Sequence, residues 1–219
     1  MMELARTGAA EGLWLRAESQ TGGKGRSGRR WVSPPGNLYA STVVRLQPTD
    51  PPAPSLALVA AVALHETVAA YAPALPLMLK WPNDLLSGQA KLAGILLERE
   101  GDTVIVGIGV NLAHHPDDVD RPATSLAALG AGSPDPQTIL TDLASAFQHW
   151  LRRWRGEGLA PVRMRWREKA HPVGTALSAR LEDDVIEGLF DGLDDMGALR
   201  LRLAGGEVRV IPAGDVFLL

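Results

Sequence analysis

The 219-residue chain has no cysteine, no surplus of positive charge and no internal repeat. Without cysteine it can form neither disulfides nor thiolate metal sites, and a cysteine nucleophile is excluded. Its formal net charge of −3 gives no overall attraction to nucleic acid or to an anionic membrane. Neither a signal peptide nor an uninterrupted apolar run of bilayer length is recognisable, so we expect a cytoplasmic protein.

The apolar fraction of 46% is ordinary for a globular protein, and the length fits one medium domain or one domain with a small addition. The composition changes near His171-Pro172. Turn-forming residues then recur at short intervals, at 194–197 and 205–206, which favours a small all-β module. We therefore predict two domains, spanning residues 1–170 and 171–219.

Hydrophobic periodicity predicts two helices. The first begins near Ser55, carries His65 on its solvent face and ends before Pro73. The second has Asp135 as its N-cap and is stopped by Gly156. Alternating or continuous apolar runs predict strands at 13–17, 38–46, 77–80, 92–98 and 103–110.

The segment from Gln20 to Trp31 is rich in glycine and in cations. Glycine lets backbone amides approach an anion closely, and arginine can bind a phosphate or carboxylate through two hydrogen bonds. We predict a loop that grips an anionic ligand, although a solvated basic turn has the same composition. Its glycines and cations are Gly22, Gly23, Lys24, Gly25, Arg26, Gly28, Arg29 and Arg30.

The spacing of Gly23, Gly25 and Gly28 also matches the dinucleotide-binding fingerprint. That fingerprint needs a strand running directly into the first glycine and a helix opening after the last. Here four residues separate the strand from Gly23, and Pro34-Pro35 follows the loop, so we reject this interpretation.

A second segment, Lys80-Trp81-Pro82-Asn83-Asp84, follows a predicted strand. Amide and carboxylate oxygens such as these can bind Mg²⁺, but an Asn-Asp pair is equally typical of a plain turn. Lys91 lies in an apolar strand segment and should face an anion, because burying it unpaired is costly. The alternative is that both lysines only protect a sheet edge.

Two further features carry weaker signals. Gly107 and Gly109 are expected to break the strand 103–110, either as a bulge or to let a ligand approach before Asn111. Arginines cluster around the end of the second helix, as a solvated face or as a contact for an acidic partner. They are Arg152, Arg153, Arg155, Arg163, Arg165 and Arg167.

Taken together, these segments resemble the biotin protein ligases. That family has a glycine- and arginine-rich adenylate loop introduced by glutamine, matched here by residues 20–31. It also has a Lys-Trp-Pro-Asn-Asp segment, a Lys-Leu-x-Gly-Ile-Leu strand with the catalytic lysine, and a Gly-x-Gly-x-Asn strand end. These are matched at 80–84, 91–96 and 107–111, and 209–216 is similar to the family's last strands. The family most often has arginine at the position of Lys24.

The resemblance implies an α+β fold, with a mixed, mainly antiparallel sheet backed by helices as in class II tRNA synthetases. A small SH3-like β-barrel would follow at the C-terminus. It implies a stand-alone ligase without an N-terminal DNA-binding domain, whose residues 1–170 bind biotin and ATP. Such an enzyme forms biotinyl-5'-adenylate and passes biotin to a lysine of a carboxylase's biotin carboxyl carrier domain. DNA and membrane partners are not expected, and a homodimer is a possible assembly.

The resemblance also assigns roles to residues. The catalytic candidates are Lys91, Arg26 and Asp84, and Asp84 is also the candidate ligand for Mg²⁺. The candidates for biotin binding are Gln20, Gly23, Lys24, Gly25, Arg26, Lys91, Gly94 and Gly107. The candidates for ATP binding are Arg26, Arg29, Arg30, Trp31, Asn83, Lys91 and Asn111.

Two other functions compete with this assignment. A lipoate or octanoate ligase of the same superfamily would share the chemistry but need a longer apolar pocket. A protein that holds biotin or nucleotide without turnover is the other alternative, because family members carry a Ser-Thr-Asn segment that the residues before Leu13 do not match.

Overall fold

The computed structural model of the chain describes residues 1–117, 121–181 and 184–219. Within them, short 3-10 turns lie at Arg26–Gly28 and Ala53–Ser55. The helices are α1 (Met2–Arg6), α2 (Leu56–Tyr71), α3 (Pro136–Glu157) and α4 (Ala160–Glu168). The strands are β1 (Trp14–Ala17), β2 (Leu38–Arg45), β3 (Leu77–Lys80), β4 (Asp84–Ser87), β5 (Ala90–Glu100), β6 (Thr103–Val110), β7 (Ala176–Arg180), β8 (Val185–Leu193), β9 (Leu199–Arg202), β10 (Val208–Ile211) and β11 (Asp215–Leu218).

The larger sheet has the strand order β1-β2-β6-β5-β4-β3. Its strands pair antiparallel, and isolated parallel bridges join Leu79 to Ala170 and Lys91 to Ala123. A smaller five-stranded sheet has the order β10-β9-β8-β7-β11. The sheets and helices confirm the predicted α+β fold class.

Strand β6 is continuous through both of its glycines, so the expected break is wrong. It pairs with β2 on one side and with β5 on the other along its whole length. Gly109 lies directly opposite Gly94 of β5. Because neither residue has a side chain, the sheet carries a flat, bare patch at this point.

Helix α2 is buried on nearly all sides. The predicted start near Ser55 is confirmed, but His65 is only 6% exposed, so its expected solvent position is wrong. By length and composition, the segment from Ala53 to Tyr71 could cross a membrane, yet 72% of its apolar window is buried inside the protein. The helix is apolar all round because it is covered all round.

Helix α3 begins as predicted. The Asp135 carboxylate accepts a hydrogen bond from the Thr138 amide at 2.9 Å and so caps the helix. The helix runs past Gly156 to Glu157, and the chain leaves it at Gly158 with φ +79°. The predicted stop at Gly156 is therefore wrong, because the chain turns out of the helix at Gly158, whose positive φ glycine adopts readily.

The predicted arginine cluster is largely neutralised. Arg155 pairs with Glu11 and Asp50, and Arg165 pairs with Glu66 and Glu168. Arg153 and Arg163 also have carboxylate partners, in Glu157 and Asp195. These pairs tie α3 and α4 to their surroundings, so the cluster gives little support to a contact with an acidic partner.

The segment 80–84 joins the two sheets. The Lys80 ammonium donates to the Val216 carbonyl oxygen at 2.9 Å, and the Trp81 indole donates to the Gly197 carbonyl oxygen at 3.1 Å. Both side chains are buried. The smaller sheet is therefore held against the larger one directly beside Asn83 and Asp84.

Candidate active site

A cavity of about 680 Å³ opens over β5 and β6, beneath the loop at 20–31. All of the residues predicted from the sequence to bind or react line this one cavity. They come from segments far apart in the chain, so the fold has assembled them. They are Gln20, Gly23, Lys24, Gly25, Arg26, Arg29, Arg30, Trp31, Asn83, Asp84, Lys91, Gly94, Gly107 and Asn111.

The cationic loop is folded into a small hairpin. The Trp31 amide donates to the Gly23 carbonyl at 2.9 Å, and the Gly25 amide donates to the Arg29 carbonyl at 2.7 Å. A Cβ at Gly23 would lie 2.5 Å from the Trp31 carbonyl oxygen, so only glycine permits this closure. The Gln20 side chain braces the base of the loop by accepting from the Ser33 hydroxyl at 2.9 Å.

The indole of Trp31 covers the bare patch on the sheet. A Cβ at Gly109 would lie 2.8 Å from the indole nitrogen, and one at Gly94 would lie 3.3 Å from the ring. The Lys91 ammonium lies 5.3 Å from the ring centroid. The buried indole N–H has no hydrogen-bond partner among the described residues. Gly94 and Gly109 thus allow an aromatic ring, rather than only a ligand, to approach the backbone.

Asp84 lies between two lysines. Its Oδ2 is 3.0 Å from the Lys80 ammonium, and its Oδ1 is 2.5 Å from the Lys91 ammonium. Burial alone would raise the pKa of Asp84, but the two ammonium groups outweigh it and hold this pKa below its usual value. Burial lowers the pKa of Lys80 despite the attraction of Asp84. Asp84 therefore stays a carboxylate and fixes the position of Lys91 at the cavity wall.

Asp84 does not fit the role of a metal ligand. Both of its oxygens face ammonium groups, which would repel a divalent cation. Across the described parts of the chain, no group of three or more His, Cys, Asp or Glu side chains is arranged to hold a metal ion. The Asn83 amide donates to the Ile95 carbonyl at 2.6 Å. The segment thus serves to brace the site.

Asn111, which was predicted to bind ATP, also has a side chain that is hydrogen-bonded within the protein. Its side-chain amide donates to the Thr124 carbonyl at 3.0 Å, and the residue is only 3% exposed. Nearby, Asn37 accepts hydrogen bonds from the amides of Leu112, Ala113 and His114. These contacts shape the chain after β6, where Asn111 meets the cavity.

Sequence reasoning missed Arg121 and Asp215. Arg29 forms a bidentate ion pair with Asp215, with contacts of 2.9 and 3.0 Å, and Arg26 and Arg121 lie 3.5 and 3.4 Å from the same carboxylate. Burial would raise the pKa of Asp215, but Arg29 above all lowers it. The sequence signal for Asp215 was a single acidic residue at the start of an apolar last strand, and such a residue by itself is a weak sign of a functional site.

The arrangement suits chemistry at a phosphate. Arg26, Arg29, Arg121 and Lys91 bring fixed cations to the cavity beside an aromatic and glycine floor. The Arg26 side chain is 27% exposed, and this partial burial lowers the pKa of its guanidinium despite the attraction of Asp215. Preorganised cations in a partly buried site stabilise charge that develops on phosphoryl oxygens.

Comparison with known families supports this chemistry. Residues 7–112 match the biotin/lipoate A/B protein ligase family, and residues 178–219 match the biotin protein ligase C-terminal domain. The biotin–[acetyl-CoA-carboxylase] ligase of Paracoccus denitrificans is 40% identical over 96% of this chain and 92% of its own length. The enzyme of the same name from Mycobacterium tuberculosis is 35% identical over 99% of this chain and 83% of its own length.

A solved structure gives the same answer. The biotin protein ligase from Aquifex aeolicus, in complex with biotin and ATP, aligns with a TM-score of 0.89 and 25% identity. The alignment covers 100% of this chain and 94% of that one. Sequence and fold therefore point to the same family over both sheets.

Proposed function

This chain belongs to the biotin protein ligase family, and on that premise we propose that it is an ATP-dependent biotin–[carboxyl-carrier protein] ligase. Its product is a biotin carboxyl carrier domain with biotin linked to a lysine, made through biotinyl-5'-adenylate. The observation that carries the proposal is the convergence of Arg26, Arg29, Lys91 and Trp31 on one cavity. The N-terminal and C-terminal matches to the family add weight independent of that geometry.

The first half-reaction joins biotin to AMP. A biotin carboxylate oxygen attacks the α-phosphorus of ATP, the bond to the bridging oxygen breaks, and pyrophosphate leaves. We assign Lys91 and Arg26 to the carboxylate and α-phosphate, because negative charge builds there in the transition state. Asp84 holds Lys91 in place, and Arg29 faces the remaining phosphates.

The second half-reaction consumes the mixed anhydride. The neutral amine of the acceptor lysine attacks the biotinyl carbonyl carbon, the bond to the AMP oxygen breaks, and the amine proton passes to solvent. The cations that bound ATP now stabilise the departing AMP phosphate. We propose that Mg²⁺ accompanying ATP binds to the nucleotide's phosphate oxygens, since Asp84 is committed to two lysines.

Exchange of labelled pyrophosphate into ATP tests the first half-reaction. We expect exchange that depends on biotin and is far weaker with lipoate or octanoate. Strong exchange with lipoate or octanoate would instead identify the protein as a lipoate or octanoate ligase. Binding of biotin without any exchange would favour a binding protein.

Gly109→Ala tests the floor of the cavity. The new methyl group would meet the Trp31 indole at 2.8 Å, so the ring must move into the space proposed for ligand. We expect at least a tenfold loss of biotin affinity by titration calorimetry, since a few lost ring contacts and a shifted loop suffice. Gly205→Ala, where a Cβ meets no atom within 4 Å, should leave affinity unchanged. Equal affinities for both variants would contradict the proposed floor.

Ligands should protect the loop from protease. The loop carries four cations close together, and Asp215 offsets only part of their mutual repulsion until an anionic ligand binds. We expect trypsin to cut at Lys24, Arg26, Arg29 or Arg30 several times more slowly with biotin and ATP than without them. Mass spectrometry of the fragments measures this. Identical cutting rates in both states would mean that the loop does not respond to ligand.

We propose residues 1–170 as the catalytic domain and 171–219 as the C-terminal domain. We place the reaction in the cytoplasm, because it consumes ATP and the sequence has no cysteine. A homodimer is a prediction that sedimentation velocity can test.

A further inference from the structure

Two loops from distant parts of the chain meet at a single carboxylate. Arg26 and Arg29 belong to the loop at 20–31, and Arg121 follows β6. All three guanidinium groups lie within 3.5 Å of Asp215, at the start of β11. Arg26 also donates to the Gly214 carbonyl at 3.0 Å. The smaller sheet therefore supplies the carboxylate that all three arginines contact.

Strand β11 carries these contacts and is held in place on one side by the smaller sheet. It pairs with β7 from Asp215 to Leu218, and Val216 is buried with its carbonyl accepting from Lys80. Residues two apart in a strand share a face. Asp215 and Phe217 accordingly point the same way, and the Arg121 guanidinium lies 4.1 Å from the Phe217 ring centroid. Arg121 is thus seated by two side chains of one strand.

Counted over the described residues, the cluster carries an excess of positive charge. Three guanidinium groups share one carboxylate, and among the described residues no other carboxylate lies within 4.0 Å of them. Close like charges repel unless a counter-ion separates them. Asp215 offsets only part of this repulsion, so the cluster retains the capacity to bind an anion while its geometry is held.

We propose that Asp215 is a positioning residue that seats Arg26, Arg29 and Arg121 together to receive the phosphates of ATP. This inference rests on the proposed function, in which ATP is the substrate of the cavity. It assigns the smaller sheet a part in nucleotide binding, and it adds Arg121 to the cations that contact the phosphates.

The test compares Asp215→Asn with Asp191→Asn. Asp191 also lies in the smaller sheet, pairs with Arg200 at 2.9 Å, and has a side chain 22% exposed against 21% for Asp215. We expect Asp215→Asn to raise the KM for ATP about tenfold, as loss of charge-assisted hydrogen bonds predicts. It should also speed tryptic cutting of the ligand-free loop severalfold. Asp191→Asn should change neither the KM for ATP nor the cutting rate. Asp215→Glu should bring both quantities most of the way back to the values of the parent.

The outcomes separate this inference from the proposed function. Suppose that the parent forms biotinyl-adenylate. If Asp215→Asn then has the same KM for ATP and the same cutting rate as Asp191→Asn, the positioning role of Asp215 is wrong. If the parent forms no adenylate, the proposed function fails, and the cutting rates still show whether Asp215 seats the loop. Should Asp215→Asn not fold, Arg121→Gln replaces it, with the same expected rise in the KM for ATP. An unchanged KM would overturn the inference.

Discussion

Replacing Lys91 by alanine should slow formation of biotinyl-adenylate by a factor of about 100 to 1000. This corresponds to about 2.7–4 kcal/mol, the usual loss when one preorganised donor to a developing oxyanion is removed. Lys91 is a cation at the cavity wall whose ammonium is fixed by Asp84 at 2.5 Å. Single-turnover assays with biotin and ATP measure the rate of this step directly.

The matched control is Lys169→Ala, because Lys169 lies outside the cavity lining. It should leave the adenylation rate within a factor of about two. Folding of the Lys91 variant should persist, since Asp84 keeps its pair with Lys80 at 3.0 Å. A Lys91→Ala enzyme that forms adenylate at the parent rate would reduce Lys91 to a structural residue.

Replacing Asp84 by asparagine should cost about 3–5 kcal/mol of unfolding free energy. Removing one member of a buried ion pair leaves the other charge uncompensated, and here Lys80 loses its only carboxylate partner among the described residues. Urea denaturation measures the change. Glu157→Gln, which breaks an exposed pair with Arg153, should leave the unfolding free energy nearly unchanged.

The stability that Asp84 contributes to the parent protein should also depend on pH. The pKa of Asp84 is lowered in the folded protein, so below about pH 4 the unfolded chain takes up a proton that the folded chain refuses. The contribution of Asp84 is therefore present above that pH and is lost as pH falls through the folded pKa. We expect the difference in unfolding free energy between the parent and Asp84→Asn to become smaller in acid. A difference independent of pH, or a loss below about 1 kcal/mol at pH 7, would contradict a charged, buried Asp84.

The residues singled out in the sequence line one cavity, and local chemistry is what made them recognisable. Glycines between cations at 20–31, and a lysine in an apolar strand, are costly unless they serve an anion. Roles were harder to predict than positions. Asp84 suggested a metal ligand, yet it lies between Lys80 and Lys91. Two lysines four and seven residues from Asp84 give no sign in the sequence that they converge on it, because the pairing of β4 with β3 and with β5 decides that.

Contacts between distant segments could not be predicted from the chain. Arg29 and Asp215 are separated by 186 residues, and their pairing depends on how the smaller sheet is held by Lys80 and Trp81. His65 was expected to face solvent because a polar side chain on an amphipathic helix usually does. It is buried because α2 is covered by the sheet and by neighbouring helices, which is a tertiary property.

Transfer of biotin to an acceptor tests the central claim most directly. The protein is mixed with biotin, ATP, Mg²⁺ and a purified biotin carboxyl carrier domain, and the acceptor is weighed by intact mass spectrometry. We predict the addition of one biotinyl group, at one lysine, only when biotin and ATP are both present. An acceptor whose mass stays unchanged, with parent protein that is folded and binds both small molecules, would contradict the assignment as a biotin protein ligase.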